Sequence, residues 1–107
     1  MSYKVEIAPI VSKKIIKILE EAEKYSASYK AKLTAKFKKA ILSLNEFPYR
    51  YPLVPEKPWH SRNIHKMPIK PYIAYHSIRE KEKFVSVEAL SHYKQNQTEI
   101  LEEAFGI

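Results

Sequence analysis

Residues 61–93, reading SRNIHKMPIKPYIAYHSIREKEKFVSVEALSHY, constrain the fold more than any other part of the chain. Alternating or fully apolar runs rich in β-branched and aromatic residues predict strands over 62–67, 72–78 and 84–90, with a turn over 79–83. The run ends on the adjacent pair His92 and Tyr93. A basic sheet with titratable groups at its rim suits phosphate chemistry. On the middle strand, Tyr75 and His76 must point to opposite faces, and Tyr75 is read as core with His76 exposed.

Upstream, Tyr3, Val5 and Ile7 alternate with Lys4 and Glu6, the period of a strand with one buried face, and Pro9 ends that strand. Over 12–25, Ile15, Ile18, Leu19 and Ala22 continue a stripe begun at Val11 while Lys13, Lys14, Lys17, Glu20 and Glu21 take the other side, which predicts an amphipathic helix. After a break at 26–28, with Ser28 read as N-cap, a second stripe runs through Leu33, Phe37, Ala40, Ile41 and Leu44 to a stop near Asn45. The short linker predicts an antiparallel helical hairpin. Its lysines 30, 32, 36, 38 and 39 read either as a solvated face or as a binding face.

The expected fold is therefore α+β: an N-terminal strand, a two-helix hairpin, then a three-stranded antiparallel continuation of the sheet and a short tail. One domain over 1–107 accommodates it. Between hairpin and strands, FPYRYPLVPEKP places four of the seven prolines in twelve residues, which predicts an extended, stiff, non-helical connection. Tyr49, Arg50 and Tyr51 ride on it, placed either to stack on a base and grip a phosphate or to pack across the sheet.

Several chemistries are set aside by what the chain lacks. It contains no cysteine, so disulfides, thiol nucleophiles and thiolate metal sites are out, and a reducing compartment, the cytoplasm, is expected. The N-terminal residues do not resemble a secretory signal, and no apolar run approaches a membrane span. A single glycine, Gly106, leaves no phosphate-binding glycine loop. All twelve acidic residues are Glu, and His60, His65, His76 and His92 lack paired ligand spacing, so neither a metal site nor a Ser–His–Asp triad is expected, and no cofactor is. Nineteen Lys and Arg give a net charge of +7, which favours nucleic acid, an acidic protein or an anionic surface as partner, and the lack of an apolar span leaves no membrane partner expected.

Metal-free acid–base chemistry on RNA remains, in which a base deprotonates the ribose 2′-hydroxyl, cations hold the phosphorane charge and an acid protonates the leaving oxygen. His92, Tyr93, Arg62 and Glu56 form the candidate catalytic set, with Lys66, Lys70, Arg50 and Tyr49 for substrate binding. Histidine titrates near neutrality and can serve as acid or base, whereas tyrosine, with a reference pKa of about 10, suits donation or stacking.

In this order and spacing, the lysine-rich hairpin, LNEFPYRYPLVPE, RNIHKMPIKPYIAYHS and FVSVEALSHY resemble the RelE/ParE superfamily of type II toxin–antitoxin toxins over residues 3–95. The resemblance implies a toxin blocked by a cognate antitoxin, with the ribosome and mRNA as target in one branch and DNA gyrase in the other. The His92–Tyr93 ending matches some ribonuclease members. Arg62 matches a basic position at the start of the first strand after the connection, and Glu56 falls near the carboxylate some members use as general base. Tyr72 stands where many ribosome-dependent relatives carry arginine, and Lys70 replaces that arginine only as a point charge. The first expectation is a ribosome-dependent endoribonuclease, the second a non-enzymatic gyrase poison, and the third a non-toxic antitoxin-binding co-repressor.

Overall fold

Proline has no N–H for a sheet ladder but suits the first turn of a helix, so Pro9 turns the chain from β1 (Lys4–Ile7) directly into α1 (Pro9–Tyr25). The computed structural model describes residues 2–106 and continues with α2 (Ala27–Ser43), β2 (His65–Ile69), β3 (Tyr72–Arg79), β4 (Phe84–His92) and α3 (Gln97–Phe105). The strands form one sheet in the order β1-β4-β3-β2, with β1 parallel to β4 and the other pairs antiparallel. The α+β architecture expected from the sequence is the one observed.

Between the long helices the cap is Ser26, not Ser28. Ser26 is extended, its Oγ accepts the Tyr29 N–H at 3.0 Å, and its own N–H donates to Ala22 O. One residue ends α1 and starts α2, so Ser28 falls inside the second helix. Val11, Ala22, Leu33, Phe37 and Leu44 of the hairpin bury against Met67, Ala74, Val87 and Leu90 of the sheet.

The proline-rich connection is not wholly extended: Pro48–Arg50 makes a 3₁₀ turn, which Pro48 can start because its missing N–H would have no partner there. Beyond it, Leu53 bridges to His65 and Lys66 N–H donates to Pro52 O at 2.9 Å, covering part of the β2 edge. Residues 60–63 form turns, with Asn63 at φ 58°, so β2 starts at His65 and Arg62 stands before the strand rather than in it.

The expected short tail is a helix. Asn96 accepts the Glu99 N–H at 3.2 Å, and Gly106, left-handed at φ 67°, closes the C-terminal end. Ile100 and Leu101 bury against Val54, Trp59, Ile64, Tyr75 and Ala89, so the sheet is covered on both faces. For that reason the assignment of His76 to solvent is also corrected. Tyr75 and His76 are both fully buried, one under α3 and the other under the hairpin side, across a register shift between them.

Candidate functional site at the sheet rim

Tyr72 and His92 form the last register pair of β3 and β4. Tyr93 then donates its N–H to Pro71 O at 2.9 Å, while Gln95 donates its N–H to His92 O and accepts the His92 N–H through Oε1 at 2.7 Å. This turn prevents the two side chains from diverging as they would on a continuing strand. Their rings stack at 4.8 Å between centroids with 29° between planes. The Lys94 N–H donates to His92 Nδ1 at 3.1 Å, so in the neutral ring the proton sits on Nε2.

His92 meets Tyr72 edge-on at 5.4 Å and lines a groove of about 380 Å³ whose other wall carries Lys14, Lys17 and Glu21 of α1. The spacing of those three residues places them on one helical face, yet in the sequence they are indistinguishable from the rest of a solvated side. Lys14 Nζ donates to Leu90 O at 3.2 Å, which ties that wall to β4.

The other candidate residues divide into groups. Arg50 and Lys70 share a second groove, of about 400 Å³, with Lys36 and Lys39. Lys70 also borders an apolar hollow of about 470 Å³ beside Tyr93. Tyr49 is engaged elsewhere: its hydroxyl and that of Tyr3 each donate to Glu80 Oε1 at 2.8 Å, and Lys83 pairs with the same carboxylate. These donors, Lys83 first, hold Glu80 down to about 2, and the carboxylate in turn raises both tyrosines.

Glu56 and Arg62 are held by α3. Arg62 Nη1 donates to Phe105 O at 3.1 Å, and Glu56 Oε1 accepts Gln97 Nε2 at 3.0 Å. Gln97 Oε1 accepts from Tyr75, whose hydroxyl oxygen accepts in turn from Ser91, so Glu56 is linked to the neighbour of His92 only through Gln97 and Tyr75. Lys66, half-buried and opposite Tyr75 in the register, lies on the same α3 side. His92, Tyr93, Lys70 and Arg50 are thus grouped around the rim and α2, apart from Glu56, Arg62 and Lys66.

A family model described as "ParE toxin of type II toxin-antitoxin system, parDE" matches residues 5–97. The chain belongs to this family. It is therefore a toxin of a type II toxin–antitoxin system, with a cognate antitoxin as partner. No match to a curated protein was found. The family match runs from β1 to the first residue of α3, so the toxin's rim and grooves lie within it and most of α3 beyond it.

Under the proline connection the toxin also buries a histidine pair that the sequence did not mark. His65 and His76 are direct partners in the β2–β3 register and stack at 5.1 Å with 11° between planes. His65 Nδ1 bonds Tyr51 O at 2.8 Å and His76 Nε2 bonds Pro48 O at 3.0 Å, so the two rings fasten the proline connection to the sheet. His76 Nδ1 is buried without a partner. Burial pushes His76 down to about 4, outweighing the opposing pull of the Pro48 carbonyl. Among the described residues, no group of three or more His or Glu could hold a metal ion, and no helix is long and apolar enough to cross a membrane.

Proposed function

We propose that this toxin is a ribosome-dependent mRNA endoribonuclease whose chemistry lies at the His92–Tyr93 rim. The observation that carries the reading is the stacking of Tyr93 on His92, which itself lines a groove walled by Lys14, Lys17 and Glu21. In the reaction the ribose 2′-hydroxyl attacks its own phosphodiester, the P–O5′ bond breaks, and a 2′,3′-cyclic phosphate and a free 5′-hydroxyl result. Glu21, the carboxylate of the groove, takes the 2′-hydroxyl proton. Lys14, Lys17 and the Nε2–H of His92 hold the charge that develops on the non-bridging oxygens. The Tyr93 hydroxyl protonates the leaving oxygen. Glu56, bonded to Gln97, and Arg62, bonded to Phe105 O, support α3 in this reading.

Primer extension on message incubated with the toxin, with and without ribosomes, tests this. Cleavage is expected only with ribosomes, falling about 10²-fold or more in His92→Ala. Intact message at doses that still arrest growth would sink the proposal. A second reading, a non-enzymatic gyrase poison, draws on Tyr72 in the place of an arginine and on the engagement of Glu56 and Arg62 by α3. It predicts intact message together with toxin-dependent DNA cleavage by gyrase, and it is lost if gyrase supercoiling and cleavage are unchanged.

A further inference from the structure

Three hollows share residues at the β2–β3 turn: two lie against α2, and the third, which holds no residue of α2, lies beyond the turn. A small one of about 180 Å³ is lined by Tyr29, Lys32 and Lys36 of the helix with Lys70 and Pro71 of the β2–β3 turn. It shares Lys36 and Lys70 with the Arg50 groove, and Lys70 and Pro71 with the apolar hollow beside Tyr93. Lys36 Nζ donates to Lys70 O at 3.0 Å, bridging α2 to the turn where the hollows join. Through these shared residues they form a furrow that runs from the tip of the hairpin around the β2–β3 turn to the tyrosine on which His92 stacks.

The composition of the furrow is one-sided. Lys32, Lys36, Lys39, Arg50 and Lys70 line it, and no acidic residue does. Lys32, Lys36 and Lys39 step by three or four residues along α2, one cation per turn at intervals of about 5.4 Å. No residue of α2 is acidic, so the helix has no internal partner for this charge. Between the cations the lining is apolar and aromatic, with Tyr29, Tyr51, Tyr72 and Tyr93 spread along the length.

Cations at regular steps interleaved with aromatic rings meet the two demands of a nucleic acid single strand: phosphates to neutralise and unpaired bases to stack. A duplex offers phosphates but keeps its bases inside, and would leave the apolar floor unused. We propose that the furrow binds single-stranded RNA and leads it to the His92–Tyr93 rim. The choice of RNA as the strand rests on the nuclease reading, whereas the binding itself does not require cleavage.

The test is fluorescence anisotropy with a short fluorescein-labelled oligoadenylate, without ribosomes, across a salt series. Two triple variants with equal charge change are compared: Lys36→Gln, Lys39→Gln, Lys70→Gln in the furrow, and Lys13→Gln, Lys38→Gln, Lys81→Gln outside it. All six lysines are exposed, and matched thermal unfolding of the two variants checks that both fold. The furrow variant is expected to bind about tenfold or more weakly, with a plot of log K against log salt shallower by about 2, while the other stays close to wild type. Equal losses in both variants would overturn the proposal. So would a furrow variant that binds RNA normally but loses affinity for an oligoglutamate peptide, the mark of a protein-docking surface. Wild-type toxin that binds the oligonucleotide yet cleaves no message on ribosomes would remove the nuclease reading and leave the furrow standing.

Discussion

On one face of the sheet a hairpin of two 17-residue helices closes over Phe37, Met67 and Leu90; on the other a nine-residue helix closes over Trp59, Tyr75 and Leu101. The hairpin face also carries a fully buried histidine whose ring bonds the main chain of the proline connection. The α3 face is fastened by side chains at the helix ends, Gln97 to Glu56 and Tyr75 at one and Arg62 to Phe105 O at the other. The covers therefore differ in kind: two long helices joined by a shared linker against one short helix docked by a few residues. The grooves at His92 and along α2 open on the hairpin side, on the more heavily braced of the two layers.

The inequality of the two layers is broken most directly by deleting core volume on each. Phe37→Ala is expected to destabilise by about 4 kcal/mol, because the sheet and both helices hold the cavity open. Leu101→Ala should cost less, about 2 to 3 kcal/mol, since α3 can shift to fill the space. Urea unfolding of both variants decides it, and an equal or larger loss for Leu101→Ala would mean that α3 is as firmly held as the hairpin.

The next effect separates the faces by pH. The unfolded chain protonates His76 near its ordinary value of 6.5, whereas in the fold the ring takes a proton only near 4. The unfolded state thus binds more protons between those values, and stability is complete above about 6.5 and lost as pH falls towards 4. The shift corresponds to about 3 kcal/mol. Urea midpoints between pH 7.5 and 4 should fall in wild type and flatten over this range in His76→Phe, which cannot titrate but gives up the bond to Pro48 O. A wild-type profile as flat as that of the variant would show that the buried pair accommodates a proton.

Smaller still is the cap of α3. Asn96→Ala removes the acceptor for the Glu99 N–H and is expected to cost about 1 kcal/mol by urea unfolding. Hydrogen exchange sharpens the result: faster exchange confined to α3 would identify the helix as a separately opening unit, and faster exchange throughout would tie it to the hairpin layer.

Much of this was legible in the order of residues. The stripe through Leu33, Phe37 and Leu44 marked its buried face because helical periodicity is a local property, and the alternation of Tyr3, Val5 and Ile7 marked β1 for the same reason. The third helix was legible too, in Asn96 with Glu99 three residues on, apolar residues at 100, 101, 104 and 105, and Gly106 after them; the shortness of the segment hid it. Family membership likewise follows from the chain, since motif order and spacing survive without coordinates.

Other features depend on separations that no local pattern encodes. His76 lies in an alternating strand, and its burial arises from a register shift and from a connection that folds back to offer Pro48 O. Glu56 and Arg62 read as free catalytic groups until α3 returns across the sheet and takes up both. His92 and Tyr93 face one rim because a hydrogen bond to Pro71 O bends β4 around the start of β3, and Glu21 joins the groove of His92 because α1 packs beside the end of β4. Periodicity determines which face of an element is apolar; what that face meets, and which polar groups remain outside, is determined by contacts between residues far apart in the chain.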